Sequence, residues 1–238
     1  MSSGGGRRPA APLTPERIIA AALAELDHGG LAAFSIRNLA HRLGVYPTAI
    51  YWHVQSRDAI LGEVVAHLLD TVVPPPALAW QGYLRALFRG YRDRIKRHPN
   101  AAALVGAHLV GNRSIRLSLV EGVLAKLRDA GFAGDELVAA YNTVIAALVG
   151  FVTQEFAAIP EDESARWRSA VRQRLAVGRL ADYPVLRDNL PRLANRAFIL
   201  RWQSGAQAPL DRSFARYVDV VIGGLERIAP RKPPRRRR

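Results

Sequence analysis

Apolar residues recur at helical spacing in the first part of the chain and divide it into short helices. The first helix is predicted to begin after the N-cap Thr14 and to end at Gly29-Gly30. Its core stripe consists of Ile19, Ala22, Leu23 and Leu26. This spacing of three and four residues is typical of a helix with one buried face.

The stretch 34–57 predicts a helix, a tight turn and a very short second helix. Ser35 is the expected N-cap, and Gly44 lies where the helix end needs a left-handed residue. The apolar stripe between them is Ile36, Leu39, Ala40 and Leu43. The second helix, from Pro47 to His53, is too short to be stable alone, so its neighbours must hold it for a purpose. This arrangement is the helix-turn-helix, whose second helix enters the DNA major groove.

A fourth helix is predicted to follow, with Ser56 as its cap and Asp58 near the positive end of its dipole. Its apolar stripe is Leu61, Val64, Val65, Leu68 and Leu69. The prolines 74–76 stop it. This helix begins in the helix-turn-helix segment and ends in the rest of the chain. A signal between the two parts would therefore travel along it.

From Trp80 onward every long segment has helical periodicity, and no β-hairpin signal is present. The predicted segments are 80–97, 100–110, a helix from the cap Asn112 to about 130, 135–158, a helix that ends near Gly178, broken helices and mobile loops over 181–209, and a last helix from the cap Ser213 to about Ile228. The fold class is therefore all-α. A three-helix DNA-binding domain (13–57) precedes a helical bundle (58–230), and a basic arm (1–12) and a basic tail (231–238) are expected to be disordered.

The segment 137–154 carries no charge and is near the length of a membrane span. Polar residues such as Tyr141, Asn142 and Gln154 interrupt it, and its strictly apolar part is only the nine residues 144–152. We therefore expect a helix that is buried on most sides, and no membrane partner.

The composition excludes several classes of function. The chain has 238 residues, 49% of them apolar, and no cysteine, which excludes disulfides, thiolate metal sites and thiol catalysis. The N-terminus lacks the apolar region of a secretory signal, which favours a cytoplasmic protein. The six histidines show no HExxH-like spacing, and GxSxG and P-loop patterns do not occur. We expect neither enzymatic activity nor a cofactor or metal.

The net charge of +14 is compatible with DNA binding. However, only three of the 34 basic residues are Lys. Such an arginine and alanine bias is also what the nucleotide composition of a source genome produces. The charge is therefore permissive for DNA binding and does not establish it.

The run LGVYPTAIYWHV, followed by Arg57, resembles the DNA-binding head of the TetR family of transcriptional repressors. Its IYWHV part is especially similar to the tetracycline repressors. The resemblance is strong over residues 13–69 and traceable to Ile228. It implies a DNA-binding head followed by a domain that binds a ligand and forms a dimer. The alternative is a three-helix head that serves protein contacts only.

The candidate DNA contacts combine chemistry with this resemblance. The fork of Arg37 can bind guanine O6 and N7, and the start of the second helix faces base edges in this motif. The candidate set is Arg37, Tyr46, Pro47, Thr48, Ala49, Tyr51, His53 and Arg57. The resemblance implies that Arg37 reads a base and that Tyr51, His53 and Arg57 contact the phosphate backbone of the DNA. Trp52 is expected to pack between the short helix and its supports. Residues 46–49 depart from the tetracycline repressors, so the operator should differ.

The long apolar helix and the last helix are the candidate dimer interface, because small residues there allow another helix to approach. The candidate residues are Ala146, Ala147, Gly150, Tyr217, Val221, Gly224, Leu225 and Ile228. Two such helices from each subunit make a four-helix bundle across a two-fold axis. The alternative is that they pack inside one subunit.

A ligand pocket is implied by the resemblance and fits the composition of the middle helices. The candidate contacts are Phe88, Tyr91, His108, Arg113, Tyr141, Asn142, Phe151 and Gln154. The turn Gly111-Asn112-Arg113 is similar to one in the tetracycline repressors, but Leu109 stands where those have a magnesium-binding histidine. A different aromatic or apolar compound is therefore expected as the effector.

These observations predict a ligand-responsive repressor that binds a palindromic operator as a homodimer and is released by a small effector. One alternative is a DNA-binding dimer without a small-molecule effector, controlled by a protein partner or constitutive. A distant alternative is a helical enzyme or binding protein with a vestigial head.

Overall fold

The structure, a computed structural model, describes residues 12–110, 116–157 and 180–230, with 166, 169–170 and 173–174. The regular elements in this part of the chain are helices joined by turns and irregular segments. The helices are α1 (Pro15–Ala33), α2 (Ile36–Leu43), α3 (Pro47–Tyr51), α4 (Arg57–Asp70), α5 (Trp80–Arg97), a 3₁₀ turn (Pro99–Ala101), α6 (Ala102–Val110), α7 (Leu117–Ala130), α8 (Gly134–Glu155), α9 (Pro184–Leu193) and α10 (Asp211–Ile228). No strand occurs among these residues. The predicted all-α fold is confirmed.

Residues 1–64 and 65–238 form two compact units, and the division between them lies inside α4. We call them the DNA-binding unit and the C-terminal unit. In the first, α1 packs on α2, and α2 on α3. In the second, α8 contacts α5, α6, α7 and α10, so it is the helix around which that unit packs.

Local capping rules placed most helix ends of the DNA-binding unit correctly. The hydroxyls of Thr14, Ser35 and Ser56 accept from backbone N–H groups three residues on, at 3.3, 3.1 and 3.1 Å. Gly44 ends α2 in the left-handed region with φ 68°. Because each cap involves only neighbours in sequence, the sequence is sufficient to predict it.

The first helix differs from its prediction in two respects. It does not end at Gly29-Gly30: Gly30 makes a kink with φ 67°, and helical structure resumes as far as Ala33. Its core stripe contains Ile18, which is fully buried, while Ile19 is only half-buried. The kink lets the chain turn toward α2 without a separate loop.

Three helix limits in the C-terminal unit also differ. Helix α7 begins at Leu117, with Arg116 as N-cap, instead of directly after Asn112. Helix α8 ends at Glu155. Helix α10 begins after Leu210, and Ser213 lies inside its first turn rather than capping it. The backbone N–H of Leu210 donates to the carboxylate of Glu155 at 2.8 Å, a cap that local sequence does not reveal.

The expectation that α8 is buried on most sides is wrong. Only 33% of its most apolar stretch is buried, and its remaining surface is open in the single chain. By length and composition alone α8 could cross a membrane, a property that it shares with core helices of soluble proteins.

Several predictions concern residues outside the described part of the chain. These are the arm 1–11, the tail 231–238, the cap Asn112, the candidate contact Arg113 and most of the helix before Gly178.

Candidate functional site

The turn between α2 and α3 is fixed by backbone hydrogen bonds. The N–H of Gly44 donates to the carbonyl of His41 at 3.1 Å, and the N–H of Val45 donates to that of Ala40 at 3.0 Å. Helix α3 then contributes one fully buried side chain, Ile50, to the core of the unit. A five-residue helix with a single buried residue has most of its surface available for a partner.

Most predicted DNA contacts lie on this open surface. Tyr46 is 83% exposed. Of the eight predicted DNA contacts, Ala49 and Arg57 are half-buried. The exposed members are Arg37, Tyr46, Pro47, Thr48, Tyr51 and His53. The structure therefore brings these predicted residues together on the surface of one small unit.

Trp52 does not pack between α3 and its supports, as the sequence suggested, but is 88% exposed. Ile50 is buried and Val54 half-buried, four residues apart on one side of the chain. Trp52 lies midway between them in a helical turn and so falls on the other side. It joins the exposed surface of α3, which the sequence analysis missed.

Arg57 has contacts inside the unit that the sequence did not indicate. Its Nε donates to the carbonyl of Phe34 at 3.2 Å, and an Nη donates to that of Leu31 at 3.0 Å. The guanidinium carbon also lies 5.5 Å from the centre of the Phe34 ring. Arg57 thus clamps the segment between α1 and α2, and its predicted phosphate contact stays a prediction.

A second clamp joins α1 to α2. The Nε of Arg42 donates to a carboxylate oxygen of Glu25 at 2.8 Å, and Glu25 is buried. The partners are 17 residues apart, so a periodicity argument within one helix does not find them. The pair helps to hold α1 against α2, on which α3 packs.

In the C-terminal unit, the structure separates the predicted ligand contacts into two groups. Phe88, Tyr91 and His108 are buried in α5 and α6. Burial raises the pKa of Tyr91, so its phenol stays protonated. Tyr141 is half-buried and Asn142 exposed on α8. Their contact with a ligand stays a prediction.

The second group lines a cavity of about 800 Å³ between α8 and α10. Phe151 and Gln154, predicted as ligand contacts, lie there beside Gly150 and Tyr217, predicted as dimer contacts. The sequence missed six further lining residues: Phe198, Arg212, Ser213, Ala215, Arg216 and Asp219. Phe198 belongs to an irregular segment whose position follows from tertiary contacts, so no sequence pattern marks it.

An ionic cluster joins the buried residues Arg92 and Glu155 to the exposed Asp211. Nε and one Nη of Arg92 each donate to a carboxylate oxygen of Glu155 at 2.7 Å, and Arg92 also lies 2.8 Å from Asp211. Burial alone lowers the pKa of Arg92, but the hydrogen bonds and charges of both carboxylates outweigh it, so that pKa is raised. The hydrogen bond from Arg92 lowers the pKa of Asp211. Arg92 is therefore charged.

Glu155 also holds the segment before α10. Its backbone carbonyl accepts from the N–H of Gly205 at 2.7 Å. A side chain at Gly205 would have its Cβ 2.5 Å from Cγ of Glu155, so only glycine fits. Glu155, at the end of α8, thus joins α5, the segment 200–210 and α10.

The predicted dimer residues fall into buried and open sets. Ala147 and Leu225 are buried within the chain itself, where α8 and α10 pack antiparallel, and their contact with a partner stays a prediction. The members that remain accessible are Ala146, Gly150, Tyr217, Val221, Gly224 and Ile228. Two exposed valines extend this surface and were missed: Val138 on α8 (57% exposed) and Val220 on α10 (63%).

Comparison with known families covers nearly the whole described chain. Residues 18–64 match the family described as "Bacterial regulatory proteins, tetR family". Residues 74–228 match the "Tetracyclin repressor-like, C-terminal domain". The two matches correspond to the two units, with the exposed α3 in the first and the cavity in the second.

Individual relatives agree with these matches. An HTH-type transcriptional regulator of Saccharopolyspora erythraea is 34% identical over 182 residues, which are 75% of each chain. The crystal structure of BioQ from Mycobacterium smegmatis is 26% identical, with a TM-score of 0.61, and covers 90% of this chain and 99% of that one. BioQ in complex with its double-stranded DNA operator is 31% identical, with a TM-score of 0.54, over 72% of this chain and 100% of that one.

Proposed function

Because the chain belongs to the TetR family of bacterial transcriptional regulators, we propose that it is a repressor that binds a double-stranded DNA operator as a homodimer and is released by a small aromatic effector. Its relatives regulate transcription, and it is a DNA-binding regulator rather than an enzyme. The operator, the dimer and the effector are each supported by a different part of the chain.

The observation that carries the DNA-binding part is the surface of α3. Only Ile50 of this helix is buried, so nearly all of its remaining side chains are free to meet a partner. Thr48 can donate, accept or touch a thymine methyl, and Pro47 can offer apolar contact at base edges. Arg37, exposed in the first turn of α2, suits a bidentate contact with guanine.

Two kinds of phosphate contact are proposed beside this base-reading set. Tyr51 and His53 are exposed at the end of α3 and can donate to phosphate oxygens. Arg57 has two donors engaged with carbonyls, while its guanidinium carries five N–H groups in all. It can therefore hold the α1–α2 segment and still present a donor to a phosphate.

The proposed dimer interface is the open surface of α8 and α10. It contains the exposed side chains of Val138, Val220 and Ile228, separated by the small residues Ala146 and Gly224. Exposed apolar side chains grouped on two packed helices are typical of a surface that another subunit covers. A dimer presents two recognition helices to two half-sites, which explains why a palindromic operator is expected.

The effector part is supported by the cavity between α8 and α10. Its volume of about 800 Å³ lies within the range of about 300–1,000 Å³ that is usual for small-molecule sites. The two units are joined within α4, so that helix is the covalent route by which a change in the C-terminal unit reaches the DNA-binding unit.

Selection from random duplex DNA tests this function. We expect recovery of one palindromic site, with two chains bound per duplex in sedimentation of the complex. Aromatic compounds would then be screened for release of that duplex. Recovery of unrelated sequences only would refute operator recognition, and release by no compound would favour a dimer without a small-molecule effector.

A further inference from the structure

Three aromatic rings form one wall of the α8–α10 cavity. Phe151 is central, with the ring centres of Phe198 and Tyr217 at 5.1 and 5.2 Å from its own. The phenol of Tyr217 donates to the carbonyl of Ala147 at 3.1 Å, which fixes that ring against α8. Flat rings held in this way provide stacking and edge contacts for another flat ring.

The position of Phe198 is maintained by an unusual backbone. The next residue, Ile199, has φ 70°, a region that a β-branched side chain rarely adopts, and its side chain is almost completely exposed. The side-chain oxygen of Asn195 closes the segment by accepting from the N–H groups of Trp202 and Gln203 at 3.2 and 3.1 Å. The chain thus tolerates a strained, solvent-exposed isoleucine beside a phenylalanine that lines the cavity.

Positive charge also lines the cavity, on α10, the helix that carries Tyr217. Arg212 and Arg216 are four residues apart on α10, so they lie on the same face of the helix one turn apart. Within the described ranges, neither forms an ion pair. Two adjacent guanidinium groups beside aromatic rings suit a ligand that has both a flat ring and a negative charge.

The carboxylate of Asp219 lies at the edge of the cavity and offsets part of this charge. The hydrogen bond from Arg85 chiefly lowers the pKa of Asp219, and the nearby charge of Arg216 lowers it further. Burial raises the pKa of Tyr217, so this phenol stays neutral beside an anion. The amide of Gln154 adds a neutral donor and acceptor at the rim.

We propose that the α8–α10 cavity binds a planar aromatic anion, with its ring against Phe198 and Tyr217 and its charge against Arg212 and Arg216. This site rests on the proposed regulator function, for which it specifies the chemical class of the effector. It lies where the C-terminal half of α8 meets the N-terminal half of α10. Gly150 and Tyr217, which line it, also belong to the accessible surface proposed for the dimer, whereas Val138, Gly224 and Ile228 lie toward the other end of these antiparallel helices.

The test is calorimetric titration of the full-length protein with 2-naphthoate and with its neutral counterpart 2-naphthamide. We expect one saturable naphthoate site per chain and at least about tenfold weaker binding of the amide. Arg216→Gln should weaken naphthoate binding by at least about tenfold and leave binding of the amide nearly unchanged. Phe198→Ala should weaken both ligands. The matched control is Arg227→Gln, which removes the same charge from an exposed position on α10 outside the cavity.

Equal losses of affinity in Arg216→Gln and Arg227→Gln would mean that general attraction to a basic protein causes binding, and would overturn the proposal. Absence of saturable naphthoate binding would also overturn it. The same samples are titrated with the selected operator. Operator binding without naphthoate binding would refute the proposed ligand site and leave the proposed regulator function intact. Naphthoate binding without operator binding would refute the regulator function alone.

Discussion

The two units of the chain use ionic contacts differently. In the DNA-binding unit, two part-buried arginine contacts join residues 17 and 26 positions apart: the ion pair of Arg42 with Glu25 and the hydrogen bond from Arg57 to the carbonyl of Leu31. In the C-terminal unit a buried cluster joins Arg92 to Glu155 across 63 positions. The first arrangement supports a small scaffold for one exposed helix, and the second ties several helices together.

This difference separates the places where stability and recognition reside. The residues proposed to read DNA are exposed and contribute little to the core of their unit. Arg92 and Glu155, which organise the C-terminal unit, are buried. Substitutions in the two units should therefore have different kinds of effect.

The largest effect is expected for Glu155→Leu. This substitution leaves the guanidinium of Arg92 buried with only the exposed Asp211 as partner and removes the cap of α10. The free energy of unfolding should fall by about 3–5 kcal/mol. Chemical denaturation measures the loss, with Asp188→Ala as control, because Asp188 pairs with Arg187 on the surface and should contribute at most about 1 kcal/mol. Similar small losses for both variants would contradict a stabilising cluster.

Gly224→Arg should convert the protein to a monomer. Nothing lies within 4 Å of a Cβ at this position in the single chain, and replacing glycine inside a helix favours the helix. A loss of association would therefore show that Gly224 contacts the partner subunit, because an unpaired charge buried in the interface costs about 3–5 kcal/mol. Analytical ultracentrifugation measures it, with the exposed Ala103→Arg on α6 as control. An intact dimer in the Gly224 variant would place the interface elsewhere.

Arg37→Ala and Arg57→Ala should have different effects on DNA binding and on stability. Loss of a base contact by Arg37 should cost about 1–3 kcal/mol of operator affinity, relax the preference at one base pair and leave stability unchanged. Loss of the hydrogen bonds of Arg57 to Leu31 and Phe34 should destabilise the DNA-binding unit by about 1.5–3 kcal/mol and weaken all DNA sequences alike.

Parallel denaturation and DNA titrations of these two variants separate the roles. An equal loss of affinity for operator and scrambled DNA in Arg37→Ala would remove its base-reading role. Unchanged stability in Arg57→Ala would show that the clamp contributes nothing measurable.

The smallest effect on stability is expected for Trp52→Ala. Because Trp52 is exposed on α3, the free energy of unfolding should change by no more than about 0.5 kcal/mol. Ile50→Ala, two residues away, removes the buried anchor of α3 and should cost about 2–5 kcal/mol. Denaturation of both variants measures the contrast, and a large loss for Trp52→Ala would restore the packing role expected from sequence.

How much the sequence predicted depended on the range of the interaction. Thr14, Ser35, Ser56 and Gly44 act on neighbours, and the helix ends that they define agree with the structure. The start of α10 was wrong, because its cap is the carboxylate of Glu155, 55 residues earlier. Periodicity describes one helix at a time and contains no information on such a contact.

The candidate site follows the same rule. The exposed face around α3 could be predicted from a short motif, except for Trp52, whose aromatic character suggested burial. The predicted ligand residues were apolar and aromatic, but composition does not say which of them share a cavity. Phe151 and Gln154 do, together with Phe198 and Arg216 from distant segments. Phe88 and Tyr91 are buried on α5, and their contact with a ligand stays a prediction.

The central claim is that the surface of α2 and α3 recognises a specific DNA sequence. Its most direct test is a fluorescence anisotropy titration of the full-length protein with the selected operator and with a scrambled duplex of equal length and composition, at one fixed salt concentration. We predict that the operator binds about a thousandfold or more tightly than the scrambled duplex, and that Arg37→Ala narrows this ratio. Equal affinity of the wild-type protein for the two duplexes would contradict the account.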